Sequence, residues 1–421
     1  MNNIYKRLLD RQVSLKENTF WYTLGTLCGS ATSFLLMIYV TRILGVDEAG
    51  IFSISYSVGQ LMLSVGWFGT RQFQVSDINE EFKFSDYLSL KIITSIVMMI
   101  GCLIYSVYLR FNSYKLLVTI LYCLFLICDV FADLFSARFQ QVDKLFLSGI
   151  SYIIRILGYN LVILISLLIF KNLIFSIVLA MIYSALELTF FDMQLIKRIS
   201  TIHIQFRMEK IIQLIKNCFP LFISSFLTTF IVNIPKNAIE LNFDSSVQTY
   251  YNIVSMPSYV VNMFCMFIFV PLFTSIANTW LNSTKSCFIK IISKLIIFDI
   301  VLSVLVFIGC YFLGIPLLEL VYGVDLHSVK SSFLILIVAG CFASMNSILS
   351  YIYTVIRKQN FMIYIYIIAI ILPQLLVNWL TSKYGMFGAS LDYLIGIASI
   401  TVMFIIGLVF ILKKEMGGVN E

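Results

Sequence analysis

Residues 229–243 read TFIVNIPKNAIELNF, an apolar stretch interrupted by Asn233, Pro235, Lys236 and Glu240. Against lipid each of these polar groups is a cost, so a membrane segment that carries them has a reason to hide them. Ser225, Thr229, Asn233, Lys236 and Glu240 follow one another at intervals of 4, 4, 3 and 4, which is one face of a helix. The stretch therefore predicts a membrane helix that turns this face away from lipid, toward a wet and positively charged pathway. Pro235 removes a backbone hydrogen bond beside Asn233 and Lys236, which is tolerable where water or a partner satisfies the freed carbonyl.

Around this stretch the whole chain has the same character. Its 421 residues are 60% hydrophobic and 12% charged, more apolar surface than a soluble protein of this size can hide. Twelve apolar runs are long enough to cross a bilayer: 18–41, 49–70, 88–109, 115–137, 147–170, 172–196, 217–239, 248–280, 291–314, 331–356, 361–381 and 386–412. The first follows a basic start, MNNIYKRLLDRQVSLKEN, and is too long for the core of a signal peptide, so it reads as an uncleaved span. The nine cysteines show no metal or disulfide spacing and read as small buried side chains. His203 and His327 lie far apart, which argues against a histidine-based metal or catalytic site, and no cofactor is implied. The net charge of +7 needs no nucleic acid to explain it, since every connection is too short for a soluble domain.

An even number of spans puts both termini on one side. With that side inside, lysines and arginines fall three to one on the inner segments, which predicts cytoplasmic termini. The longest connection, KRISTIHIQFRMEKIIQLIK at 197–216, is basic and amphipathic and is expected to lie along the inner leaflet. It divides an N-terminal group of six spans, 1–196, from a C-terminal group, 217–421. The groups echo one another: Arg42 and Lys236 end their first helices, and Tyr56 and Tyr250 open the next, each pair 194 residues apart. Six spans per half make this a parallel repeat.

Polar stripes recur on the first span (Thr23, Thr26, Ser30, Ser33), the second (Ser53, Ser57, Gln60, Ser64, Trp67, Arg71) and the eighth (Tyr251, Ser255, Ser258, Asn262). Such stripes serve as helix-packing surfaces or line a cavity. Their occurrence on spans 1, 2, 7 and 8, which the repeat relates, favours a shared central cavity. Ionisable residues within spans are rarer. Arg155, eight residues into its span, is the leading candidate, with Asp129 and Asp133 one turn apart on the fourth helix as possible partners. Glu187 is the next acid in order of depth.

The runs VTRILGVDEAGIFSISYSVGQLMLSVGWFGTRQFQVSD, IPKNAIELNFDSSVQTYYNIVSMPS, VYGVDLHSVKSSFLILIVAGCFASMNSILSYIYTVIRKQ and SKYGMFGASLDYL together resemble the polysaccharide transporter family. These are the Wzx-like flippases of O-antigen and capsule repeat units, within the multidrug/oligosaccharidyl-lipid/polysaccharide exporter superfamily. The resemblance implies an all-α, MATE-like membrane fold with twelve transmembrane helices in two six-helix lobes around a central cavity. It further implies a substrate of undecaprenyl-diphosphate-linked oligosaccharide, moved from the cytoplasmic to the outer leaflet of the inner membrane, with a polysaccharide polymerase and a chain-length regulator as candidate partners.

On this reading Arg42, Arg71, Arg155 and Lys236 bind or guide the anionic head group, with Asn233 beside them. Tyr56, Tyr250 and Tyr251 offer ring faces and hydroxyls to sugars. Asp129, Asp133 or Glu187 would take up a coupled proton or cation. Two rivals remain. A cation-coupled drug exporter would share the fold but calls for a more acidic cavity. A membrane polymerase or ligase calls for a sizeable outer loop, and the best one here, GIPLLELVYGVDLHSVK, offers only Glu319, Asp325 and His327.

Overall fold

The structure is a computed structural model of the chain and describes residues 2–11, 13–77, 80–282, 285–356 and 358–417. It is all helical, in two compact units, Met1–Thr229 and Phe230–Glu421. The first contains α1 (Asn2–Asp10), α2 (Leu15–Leu44), α3 (Val46–Trp67), α4 (Thr70–Ser76), α5 (Phe84–Tyr108), α6 (Ser113–Gln141), α7 (Leu145–Phe170), α8 (Leu173–Glu187) and α9 (Met193–Ile199). Next comes α10 (Met208–Asn242), within which the division between the units falls. The second unit continues with α11 (Ser245–Asn282), α12 (Lys285–Gly309), α13 (Ile315–Tyr322), α14 (Lys330–Val355) and α15 (Gln359–Gly417).

Ten helical segments among the described residues are long and apolar enough to cross a membrane, against the twelve expected. Two differences account for the shortfall. The expected spans 361–381 and 386–412 fall in one helical segment, Asn360–Leu412, whose backbone breaks at Gly385 (φ 60°, ψ −140°). A residue with a Cβ is strained there, which is why glycine holds the break. The expected span 248–280 coincides with α11, many of whose side chains lie outside the description.

The burial pattern settles the solvent. Ile96, Ile104 and Val107 on α5, Val301 and Leu305 on α12, and Leu375, Ile406 and Phe410 on α15 face outward. Ser55, Ser89, Thr119, Lys91, Arg155 and Asp192 are inside. Water outside would reverse this arrangement, so the outer belt is a lipid-facing surface and the protein is a multi-pass membrane protein.

Where burial provides no driving force between apolar faces, helices meet at small residues. In the first unit α2 packs along α7 through Gly25, Gly29 and Gly149, and α3 packs on α6 where Gly59 faces Tyr122 and Gly66 faces Val130. A Cβ on Gly149 would overlap the backbone of Trp21 and Tyr22. Gly149→Val is accordingly expected to lose about 1–3 kcal/mol through overpacking, read as a lower melting temperature of the detergent-purified protein. In the second unit α14 is central, packed on α11 and α15. There Asn346 donates to the Ile397 carbonyl (3.0 Å) and accepts from Thr401 (2.7 Å), while Ser344 donates to Asp299 of α12 (2.6 Å).

The quoted stretch lies in α10, which runs through Pro235 as one helix. Residues 233–239 are buried on all sides, Asn233 at 3% and Lys236 at 7% exposure, so the polar face is turned away from lipid. The linker 197–216 is built in three parts. It comprises the end of α9, a non-helical strap and the start of α10. The strap is tied to α5 because Asp86, wholly buried in the first turn of that helix, takes Arg207 as its counter-charge. Ser89 also donates to the Gln205 carbonyl (2.9 Å), while Ile204, Phe206 and Met208 stay exposed.

Candidate functional site

A cavity of about 380 Å³ opens within the first unit, walled by α2, α3, α4, α6, α7 and, from α10, Leu221 and Ser225. Helical spacing builds it. From α6 come Tyr122, Phe125, Asp129, Asp133 and Ser136, at intervals of 3, 4, 4 and 3; from α7 come Ser148, Ser151, Arg155 and Tyr159. The chain bends between α3 and α4 at Phe68 and Gly69, both left-handed, which carries Arg71 round to the same cavity as Gln60 and Trp67. On α2 the lining residues are Tyr22, Thr26, Gly29 and Thr32. That stripe is rotated from the expected Thr23, Thr26, Ser30 and Ser33, of which Thr26 donates to Thr23 and Ser30 to Thr26 within the helix.

Two ion clusters flank the cavity. In the first, Arg155 lies 3.1 Å from Asp129 and 4.0 Å from Asp192, with its guanidinium over the Tyr152 ring at 5.5 Å. Ser151 lies between that same Asp192 oxygen, at 2.9 Å, and an oxygen of Glu187, at 3.4 Å. Glu187 and Asp192 are five residues apart, which on a regular α-helix would separate them by about 140°. They share a side because Leu188–Asp192 forms a π-turn, a wider coil that often marks functional positions.

In the second cluster Asp133 sits between Arg71 (3.3 Å) and Lys91 (3.2 Å). Lys91, with a side chain of zero exposure, also donates to the Trp67 carbonyl (3.0 Å). Arg71 donates to Ser136 (2.8 Å) and Gln140 (3.2 Å) and stands 5.4 Å over the Tyr22 ring.

The structure thus gathers Tyr56, Arg71, Asp129, Asp133 and Arg155 around one cavity, with Glu187 behind Ser151. The two suggested acid partners of Arg155 divide: Asp129 pairs with it, and Asp133 pairs with Arg71 and Lys91. Arg42 is exposed near the end of α2. Asn233, Lys236, Tyr250 and Tyr251 belong to α10 and α11 of the second unit, where Tyr251 is buried and Tyr250 half-buried. In the outer-loop candidate, Glu319 accepts from the Leu326 amide (2.8 Å) and lies 3.7 Å from His327.

Two contributors were not foreseen. Lys91 counts with the cations of the inner segments, whereas α5 begins at Phe84 and carries it two turns into the bundle. Asp192 escaped notice because a π-turn defeats a 3.6-residue search.

A family model described as "Polysaccharide biosynthesis protein" matches residues 15–277, more than half of the chain. The chain belongs to that family. Among solved structures, this polysaccharide biosynthesis protein is similar to an inward-facing MATE-family multidrug resistance transporter of the MOP superfamily. The identity is 14%, with 93% of this chain and 96% of that one covered, and the TM-score is 0.68. It is also similar to the eukaryotic MATE transporter AtDTX14 (13% identity, 97% and 96% covered, TM-score 0.68). The inward closed conformation of the lipid II flippase MurJ matches at 16% identity, with 93% and 86% covered and a TM-score of 0.66. The fold is therefore MATE-like. Comparison with curated protein sequences gives no match.

Proposed function

We propose that this protein is a flippase for undecaprenyl-diphosphate-linked oligosaccharide repeat units of O-antigen or capsule, working by alternating access. The observation that carries the reading is the cavity of the first unit: polar, tyrosine-walled and supplied with ion pairs, inside a bundle whose outer belt is apolar. A surface of this kind suits a hydroxyl-rich head group, while a polyprenyl tail stays in the surrounding lipid. Membership of a polysaccharide biosynthesis family, together with a fold shared with a lipid II flippase, supports the same class of cargo. No site for covalent chemistry is needed for such transport.

In this scheme Arg42 and Lys236, with Asn233, guide the diphosphate, and Tyr250 and Tyr251 contact sugars. Arg71 and Arg155 act from within their ion pairs. Asp129, Asp133 or Glu187 takes up the coupling proton or cation. Both termini lie on the cytoplasmic side of the inner membrane.

Deleting the gene is expected to leave lipid-linked repeat units on the cytoplasmic leaflet and to abolish the surface polysaccharide, with both restored by a plasmid copy. Lys236→Ala is expected to restore it poorly, by about tenfold or less efficient transport, at a normal protein level. A deletion strain with a full polysaccharide coat and no stranded lipid would sink the reading. Full complementation by Lys236→Ala would remove that residue from the head-group site.

A further inference from the structure

We propose that the cavity of the first unit is a glycan subsite, which holds sugar rings through their hydroxyls and apolar faces and leaves the diphosphate to be bound elsewhere. The inference rests on the flippase reading and assigns one part of the cargo to one place.

The charge of the lining carries the argument. Two cations, Arg71 and Arg155, and two carboxylates, Asp129 and Asp133, face the cavity, and each is engaged with one of opposite sign. A diphosphate brought here would meet two carboxylates, each held beside the cation it would have to displace. A lipophilic cation would meet two arginines, and neither lining carboxylate lacks a cation of its own. A neutral, hydroxyl-rich ligand meets neither objection, because paired arginine and carboxylate groups still have N–H and lone-pair directions to offer.

Unused capacity of this kind is visible. Arg155 is 4% exposed, and its Nε and Nη1 groups have no hydrogen-bond acceptor in the structure. Gln60, Thr26 and Ser225 add neutral polar groups.

The remaining wall is aromatic. Tyr56 and Tyr122 have ring centroids 5.7 Å apart, Tyr122 and Phe125 5.8 Å, and Phe125 and Tyr159 5.0 Å, a run of four rings that all line the cavity. Aromatic faces take the C–H face of a pyranose while the tyrosine hydroxyls reach its polar edge. The volume of about 380 Å³ lies near the lower end of the usual range for small-molecule sites, about 300–1,000 Å³. That suits a sugar or two, and not a complete lipid-linked unit. Sites that hydrogen-bond hydroxyls discriminate strongly against ligands lacking them, so this subsite would select the repeat unit at its sugars.

The test uses the lipid that accumulates in the deletion strain. Mild acid releases its free oligosaccharide, which is titrated into the purified full-length protein in detergent and followed through Trp67, a lining residue that reports on the cavity. The free oligosaccharide is expected to bind, Trp67→Phe to remove the signal, and sugar-free undecaprenyl diphosphate not to compete. Gln60→Leu and Tyr56→Phe are each expected to weaken binding about tenfold with an unchanged gel-filtration profile. Three results overturn the subsite: no oligosaccharide binding to folded protein, displacement by the bare lipid diphosphate, or parental affinity in both variants. If no lipid-linked unit accumulates in the deletion strain, the flippase reading falls too; if it accumulates and its glycan does not bind, the subsite falls alone.

Discussion

Asp133→Asn is expected to destabilise the protein by about 3–5 kcal/mol, the range for removing one partner of a buried ion pair. Lys91 has a wholly buried side chain, and Asp133 is the carboxylate 3.2 Å from it. Neutralising the acid strands an ammonium group in the bundle and also loosens Arg71 from α6. The loss should appear as a sharp fall in membrane-inserted protein and in its melting temperature in detergent. The second half of the experiment separates charge from packing. Lys91→Met in the Asp133→Asn background removes the stranded charge and should recover most of the stability, a large coupling in a double-mutant cycle. A double variant as unstable as Asp133→Asn alone would show that the acid matters for some reason other than its neighbour.

Arg155→Met is expected to do comparable damage, again about 3–5 kcal/mol, for the opposite reason. It leaves Asp129 and Asp192 facing each other's surroundings without the cation that lies 3.1 Å and 4.0 Å from them. Arg155→Lys tells stability from function. A lysine restores the positive charge, so folding should largely return. It cannot reproduce a planar fork lying over Tyr152 and reaching toward two carboxylates, so transport should stay well below the parent. Folding and transport that recover together in Arg155→Lys would reduce the residue to a counter-charge.

Much of this organisation could be read before any coordinates. Hydropathy located the long helices, because a bilayer admits few other ways to place so many apolar residues. The cost of burying charge pointed to Arg155, Asp129, Asp133 and Glu187, all of which the structure sets at or behind one cavity. What stayed hidden depended on pairing and on helix rotation. Lys91 looks interfacial in a hydropathy profile, and only its contact with Asp133 shows that it is buried. The stripe on the second span divides for a similar reason. Ser53, Ser57 and Ser64 are packed away at 1–4% exposure, whereas Gln60, Trp67 and Arg71 line the cavity. Spacing alone treats the six alike, since a polar face says that lipid is avoided and not what replaces it. The break at Gly385, by contrast, falls in the gap between the expected spans 361–381 and 386–412.

The coil at Leu188–Asp192 bears on how this chain can be compared with its relatives. One residue more than a regular helix needs is absorbed there, and everything past it is displaced in register. In a relative whose corresponding helix is regular, the position matched to Asp192 without a gap would point about 100° away. Transferring roles across that point therefore calls for a one-residue gap, which at 14–16% identity no string comparison would insert unaided.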